Sequence, residues 1–281
     1  MQVKAYAKLN LTLDILRKRE DGYHDLQMVM QSIDLSDDLT VTPAHGQGVM
    51  RTNLPYLPAD GRNLAQLAAA AFRRATGKGG QVDISIQKRI PVCAGLAGGS
   101  SDAAAVLRAM NELTGAGLSP AELAGIGQSV GSDVPYCVVG GTALAEGRGE
   151  RLTPLPPLPH CYAAVCKPTF PISTPQLFSR VELRKIVRRP DTAGLLAALE
   201  AGDLTGVARR MYNVFEDVLE PRRQAEIDSI KATLIDCGAL GASMSGSGPS
   251  VFGLFPDREA AQHACRRLRE LYKSVFLCET V

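Results

Sequence analysis

Near the N-terminus apolar and polar positions alternate: Leu9, Leu11, Leu13 and Ile15 fall on one side of the chain, Lys8, Asn10, Thr12 and Asp14 on the other. A period of two is that of a β-strand, so YAKLNLTLDIL predicts a strand with one apolar and one polar face. EDGYHDL follows, where Asp21-Gly22 signals a turn. MVMQSIDL and LTVTP resume the strand pattern, and QVDISIQ sets Val82, Ile84 and Ile86 on one face. The period lengthens to that of a helix over 63–75, which is alanine-rich, and over 100–113, where Ala103, Val106, Leu107, Met110 and Leu113 form a stripe. A third helix has Ser119 as its N-cap, Pro120 in first position and Glu122 to close a capping box. It is expected to end near Gly131, with GSDVPY as a turn and TALAEG as a strand.

The proline-rich stretch 152–160, LTPLPPLPH, breaks the pattern and predicts two domains, 1–153 and 154–281. Beyond it come a strand (YAAVC), several helices, a strand over 242–245, the loop GSGPS, a strand (VFGLF), a helix over 257–271 and a closing strand (SVFLCE). Strands and helices mix in both halves without a strict βαβ repeat, which predicts an α+β fold.

Composition narrows the class without naming a chemistry. A chain of 281 residues with 45% hydrophobic and 21% charged residues is that of an ordinary globular protein, large enough to need no staples. A net charge of +2 and no basic stripe interleaved with aromatics argue against nucleic acid. No apolar run approaches a membrane span or a signal peptide, so a cytoplasmic protein without a membrane partner is expected. The seven cysteines show no metal spacing and are read as reduced, mostly buried thiols; the four histidines are scattered.

The glycine-rich loop changes the picture. In PVCAGLAGGSSDAA, Gly95, Gly98 and Gly99 lie after a strand and before a helix. Glycines let backbone N–H groups approach an anion, and a helix N-terminus adds unpaired N–H groups and partial positive charge. Ser100 and Ser101 stand at the helix start, where they can cap it or reach a phosphate. The loop is not a Walker A motif, because Gly77-Lys78 is followed by Gly79. Nor is GIGQSVG a dinucleotide fingerprint: it is one residue too long and falls at a helix end.

This loop resembles the nucleotide loop of the GHMP kinases, and AKLNLTLDIL and SMSGSGPSVFGLF resemble that family's first and third motifs, in order and across nearly the whole chain. DGYH, GSDVPY and STPQLF narrow the resemblance to the branch whose acceptor carries a cytidine diphosphate. The resemblance implies a ribosomal-protein-S5-like N-terminal domain and a ferredoxin-like α/β plait, with the active site in the cleft between domains. It implies ATP and Mg2+ as cofactors, a small-molecule alcohol as substrate, and phosphorylation of that alcohol. Pro91, Val92, Cys93, Ala94, Gly95, Leu96, Ala97, Gly98, Gly99, Ser100 and Ser101 would then bind ATP.

The resemblance also makes Asp133 the catalytic carboxylate and Lys8 the active-site lysine; by itself, SDVP reads as a turn capped by Asp133, and Lys8 as a solvated strand lysine. Asn10, Tyr23, His24 and Phe178 match substrate-binding positions, with Tyr23 and Phe178 expected on the two faces of the cytosine. Gly246, Ser247 and Gly248 form the third-motif loop, expected to close against the first; alone they read as a tight turn between strands. Magnesium ligands and oligomeric state are not assigned. Another acceptor of the same superfamily (homoserine, mevalonate or a sugar) and a non-catalytic nucleotide-binding regulator are the alternatives. Where the family loop often has glycine, this chain has Cys93 and Ala97, so a backbone open only to glycine is not expected there.

Overall fold

The computed structural model describes residues 1–281 and divides into two compact units. The first holds Met1–Ala7, Leu35–Val92 and Ala97–Gly140; the second holds Lys8–Asp34, Cys93–Leu96 and Gly141–Val281. Two long strands, β1 (Gln2–Lys18) and β2 (His24–Pro43), contribute residues to both. β2 runs unbroken where the sequence reads as two strands. The polar residues that suggest a break, Ser36 and Asp37, are buried in the strand and so do not interrupt it.

In the first unit the strand order is β3 (Met50–Thr52), β4 (Val82–Gln87), β2, β1, with β2 and β4 antiparallel in the register Leu39↔Ile86 and Val41↔Ile84. Helices α1 (Leu64–Thr76), α2 (Gly98–Leu113), α3 (Pro120–Gln128) and α4 (Val134–Val139) complete it. Their buried residues, among them Phe72, Leu107, Met110, Leu123 and Val134, join Leu39, Val41, Ile84 and Ile86 in one apolar core. Several helix boundaries follow local chemistry. Asn63 caps α1 by accepting from the Ala65 N–H, Gly77 ends it in the left-handed region, and Ser119 and Glu122 form the expected capping box of α3. GSDVPY departs from its expected turn: Val134–Val139 is a short helix, because Val134, Pro135, Tyr136 and Val138 are all buried and packing overrides weak helix propensity. Leu113 lies at the end of its stripe and is exposed.

The second unit has two sheets. One takes the order β6 (Arg151–Pro154), β5 (Thr142–Gly147), β2, β1, β8 (Tyr212–Asn213). The other is antiparallel, in the order β11 (Ser274–Glu279), β7 (Tyr162–Lys167), β10 (Val251–Phe255), β9 (Gly241–Met244). Short helices α5 (Thr174–Ser179), α6 (Thr192–Glu200) and α7 (Leu204–Arg209) precede β8. Helices α8 (Pro221–Asp236) and α9 (Arg258–Arg269) pack on the antiparallel sheet, burying Ile227, Ile230, Leu234, Ala264 and Leu268. The cysteines are all free; five are buried, Cys137 is half-buried and Cys93 is exposed.

The glycine loop holds the largest departure from expectation. Cys93 has φ +52° and Ala97 φ +58°, the two non-glycine residues with positive φ. Both therefore adopt the backbone that glycine accepts freely, and their Cβ atoms are carried at a cost of roughly 1–2 kcal/mol each. Replacing Ala97 by glycine should relieve that strain while restoring about 0.4–1 kcal/mol of unfolded-state freedom. The expected net effect is a stabilisation of about 0.5–1 kcal/mol, a rise of about 1–3 °C in melting temperature. A calorimetric melt of Ala97→Gly checks it; a lower melting temperature would show that the loop is not held left-handed.

Candidate active site

The expected start of α2 at Ser100 is moved back by the structure. The helix begins at Gly98, its N-cap is Ala97, and no side chain caps it. The two serines lie inside the first turn and their roles divide. Ser101 is buried, donates its hydroxyl to the Tyr6 carbonyl at 2.5 Å, and bonds its N–H to the Ala97 carbonyl. Ser100 is half-buried. The N–H groups of Gly98, Gly99 and Ser100 have no acceptor in the chain. A helix start left uncapped in this way presents donors and a positive dipole end to an external acceptor, and a phosphate oxygen is the natural one.

Beneath that turn lies a buried ionic group. Lys88, just after β4, bonds to Asp37 of β2 and to Asp102 of α2, the latter at 2.7 Å. Asp37 also accepts from the N–H groups of Arg89 and Ile90. A Cβ added to Gly98 would stand 3.3 Å from Lys88 Nζ. Burial lowers the proton affinity of Lys88, but the charges of Asp102 and Asp37 outweigh it and the net shift is upward. For Asp102 burial dominates and pushes the carboxyl up to about 7, against the opposing charge of Lys88.

Asp133 sits at the N-cap position of α4 in the same unit, half-buried, and makes no capping bond to that helix. A Cβ on Gly131 would lie 3.9 Å from Ser100 Oγ, so the segment leading to Asp133 runs beside the start of α2. Pro91 and Val92 lead into the loop and are half-buried.

In the second unit the polar face of β1 is as buried as the apolar one. Lys8 is 3% exposed, and Asn10, Thr12 and Asp14 are buried with it. Lys8 Nζ donates to Asn10 Oδ1 at 2.5 Å, and the Asn10 amide donates toward Met28 Sδ. The loop residues Cys93–Leu96 pack on this strand and on the third motif. The Lys8 N–H bonds the Leu96 carbonyl, the Asn10 N–H bonds Ser245 Oγ, and Ser245 Oγ donates to the Gly95 carbonyl at 3.0 Å. The Ser250 N–H bonds the Ala94 carbonyl. Gly95, at φ +75°, leaves no room for a side chain: a Cβ would stand 2.1 Å from the Ser245 carbonyl oxygen. At Gly246 a Cβ would fall 2.9 Å from the Gly95 carbonyl oxygen and 3.1 Å from Lys8 Nζ. Ser247 shares a hydrogen bond with Thr174, and Gly248 is left-handed at φ +79°.

Sequence reasoning missed the residues that hold this third motif. Asn213, wholly buried, donates to the carbonyls of Met244 and Gly246 at 2.8 Å each and accepts from the Phe215 N–H. Glu216 accepts from the Met244 N–H and Ser243 Oγ and pairs with Lys231. A lone Asn and Glu in YNVFED carry no periodic signal that could single them out.

Among the aromatic positions, His24 stacks on Phe178, with ring centroids 5.1 Å apart and planes 21° from parallel. Phe178 in turn meets Phe215 edge-on at 4.9 Å. Tyr23 is 53% exposed, and the Arg148 guanidinium lies 3.7 Å over its ring. Burial, then the charge of Lys18, lowers the His24 imidazole below its ordinary value, which favours the neutral ring. A flat, neutral imidazole with an aromatic partner suits a nucleobase edge and face.

Two family models match the chain, the GHMP kinase N-terminal domain over residues 63–141 and the GHMP kinase C-terminal domain over residues 195–274. A 4-diphosphocytidyl-2-C-methyl-D-erythritol kinase of Clostridium botulinum is 44% identical over 100% of both chains, and one of Clostridium kluyveri is 45% identical over the same span. A crystal structure of 4-(cytidine 5'-diphospho)-2C-methyl-D-erythritol kinase superposes with TM-score 0.83 at 34% identity, covering 100% of this chain and 99% of that one. Homoserine kinase from Cytophaga hutchinsonii shares the fold at TM-score 0.76 and 22% identity, over 100% of this chain and 94% of its own. With relatives this similar matched from end to end, the chain belongs to the GHMP kinases, in the 4-diphosphocytidyl-2-C-methyl-D-erythritol kinase family.

Proposed function

We propose that this kinase transfers the γ-phosphoryl group of ATP to the 2-hydroxyl of 4-diphosphocytidyl-2-C-methyl-D-erythritol, in the non-mevalonate route to isoprenoid precursors. The observation that carries the nucleotide half is the open start of α2, where the N–H groups of Gly98, Gly99 and Ser100 await an acceptor. Its left-handed lead-in through Gly95 and Ala97 brings backbone, not side chains, toward the phosphates. The acceptor half is supported by the His24–Phe178 stack, which suits a cytosine, and by full-length relatives named for that substrate.

Phosphoryl transfer is mostly positioning and charge stabilisation. Asp133 accepts the proton of the attacking hydroxyl, a role open to a carboxylate not used to cap its own helix. Lys8, held by Asn10 in a buried site, stabilises charge on the phosphoryl group in transit. No group of three His, Cys, Asp or Glu side chains forms a resident metal site. Magnesium bound together with the nucleotide would supply charge neutralisation at the phosphates.

The direct test is ADP release with magnesium and ATP against four acceptors: the cytidine diphosphate alcohol, homoserine, mevalonate and galactose. Release with the first alone is expected. Release with another acceptor, or with none, would overturn the assignment. Asp133→Asn should lower kcat by about 100- to 10,000-fold, the range of a positioned general base. Nucleotide affinity measured by calorimetry should stay near the parent value; undiminished kcat would remove Asp133 from the mechanism.

A further inference from the structure

Two carboxylates share one ammonium behind the nucleotide loop, and the chemistry above uses none of the three. Lys88 Nζ bonds Asp37 and Asp102, and all three side chains are buried. The two aspartates are not equivalent. Asp37 is fully satisfied, with Lys88 on one oxygen and the Arg89 and Ile90 N–H groups on the other. Asp102 has Lys88 on Oδ2, while its Oδ1 is buried with no hydrogen-bond partner. A bare carboxylate oxygen in a dry site is costly, and protonation removes the charge that makes it so.

The surroundings leave Asp102 no other counter-charge. The charged groups that act on it are Lys88 and Asp37. The helices packed on α2 present apolar residues, including Ala68 of α1, Leu123 of α3 and Val134 of α4. Nearby Arg89 pairs outward with Asp38, and Arg108, further along α2, donates to the carbonyls of Cys137 and Lys4. With both aspartates ionised the group carries one net negative charge, set against the first residue of α2 through Gly98. That is the wrong sign beside a triphosphate.

We propose that Asp102 is a positioning residue that binds nucleotide in its acid form: when phosphates arrive at the start of α2, a solvent proton is taken up on Asp102, and the Lys88–Asp37–Asp102 group becomes neutral. This rests on the reading of the α2 start as the phosphate site. Lys88 keeps its proton; only the Asp102 carboxyl changes. Burial already raises the Asp102 carboxyl in the absence of ligand, and added negative charge raises it further. The sign follows: above neutral pH nucleotide binding takes up protons, and affinity weakens as pH rises, by at most about tenfold per pH unit.

Calorimetry of a non-hydrolysable magnesium–ATP analogue, in two buffers of different ionisation enthalpy near pH 7.5, counts the protons. The parent protein should take up more protons per nucleotide than Asp102→Asn, which carries a neutral side chain of the same shape. The variant's affinity should also be flatter with pH. Since the variant could fold poorly, infrared difference spectra of the parent protein provide an independent reading. A carboxylic-acid C=O band should appear on nucleotide binding. Binding with equal proton counts in both proteins, or no such band, would overturn this proposal and leave the phosphate site standing. Absence of binding to the parent protein would overturn the phosphate site and this proposal together.

Discussion

The ion group of Lys88, Asp37 and Asp102 is the constraint on which the first unit's chemistry depends. It ties the middle of β2, the exit of β4 and the first turns of α2 to one buried point. Removing Lys88 would leave two buried carboxylates without a counter-charge, a loss of roughly 3–5 kcal/mol. A well-packed apolar trio could hold the same three elements at no electrostatic cost, so stability alone does not explain the charges. What they provide is a fixed location for the start of α2 together with a charge that can change when the loop fills.

The second unit buries charged groups too. Lys8 is buried on β1 and held by Asn10 rather than by bulk water. The third motif is pinned from behind by Asn213 and Glu216, and it meets the loop through Ser245 and Gly95. Glycine at 95 is a steric necessity there, because the Ser245 carbonyl occupies the space a side chain would need. Flexibility is not its purpose: Gly95 and Gly246 sit where backbone packs on backbone.

Much of this was legible in the sequence, and the gaps have physical causes. Alternation located β1, and the capping box of Ser119 and Glu122 located α3, because both signals are local. The same alternation misled about the polar face of β1. A polar row usually faces water, whereas here Lys8, Asn10 and Thr12 are buried against other parts of the chain, which no local pattern reveals. The helix at 134–139 was hidden for the opposite reason, since its weak local propensity is overcome by burial of Val134 and Tyr136. Cys93 and Ala97 show a third limit: a residue's identity states which backbone it prefers, not which one its neighbours impose. Asp102 lay in plain view inside the loop motif, but its bond to Lys88, which also holds Asp37, depends on tertiary contacts from β2 and β4.

The unsatisfied N–H groups at the start of α2 are proposed to receive the phosphates of ATP. Amide hydrogen exchange, with and without the magnesium complex of a non-hydrolysable ATP analogue, tests this at the atoms concerned. Exchange is expected to slow most over residues 95–101, where Gly98, Gly99 and Ser100 present unpaired donors. Unchanged exchange across that segment under saturating nucleotide, with protection elsewhere, would contradict it.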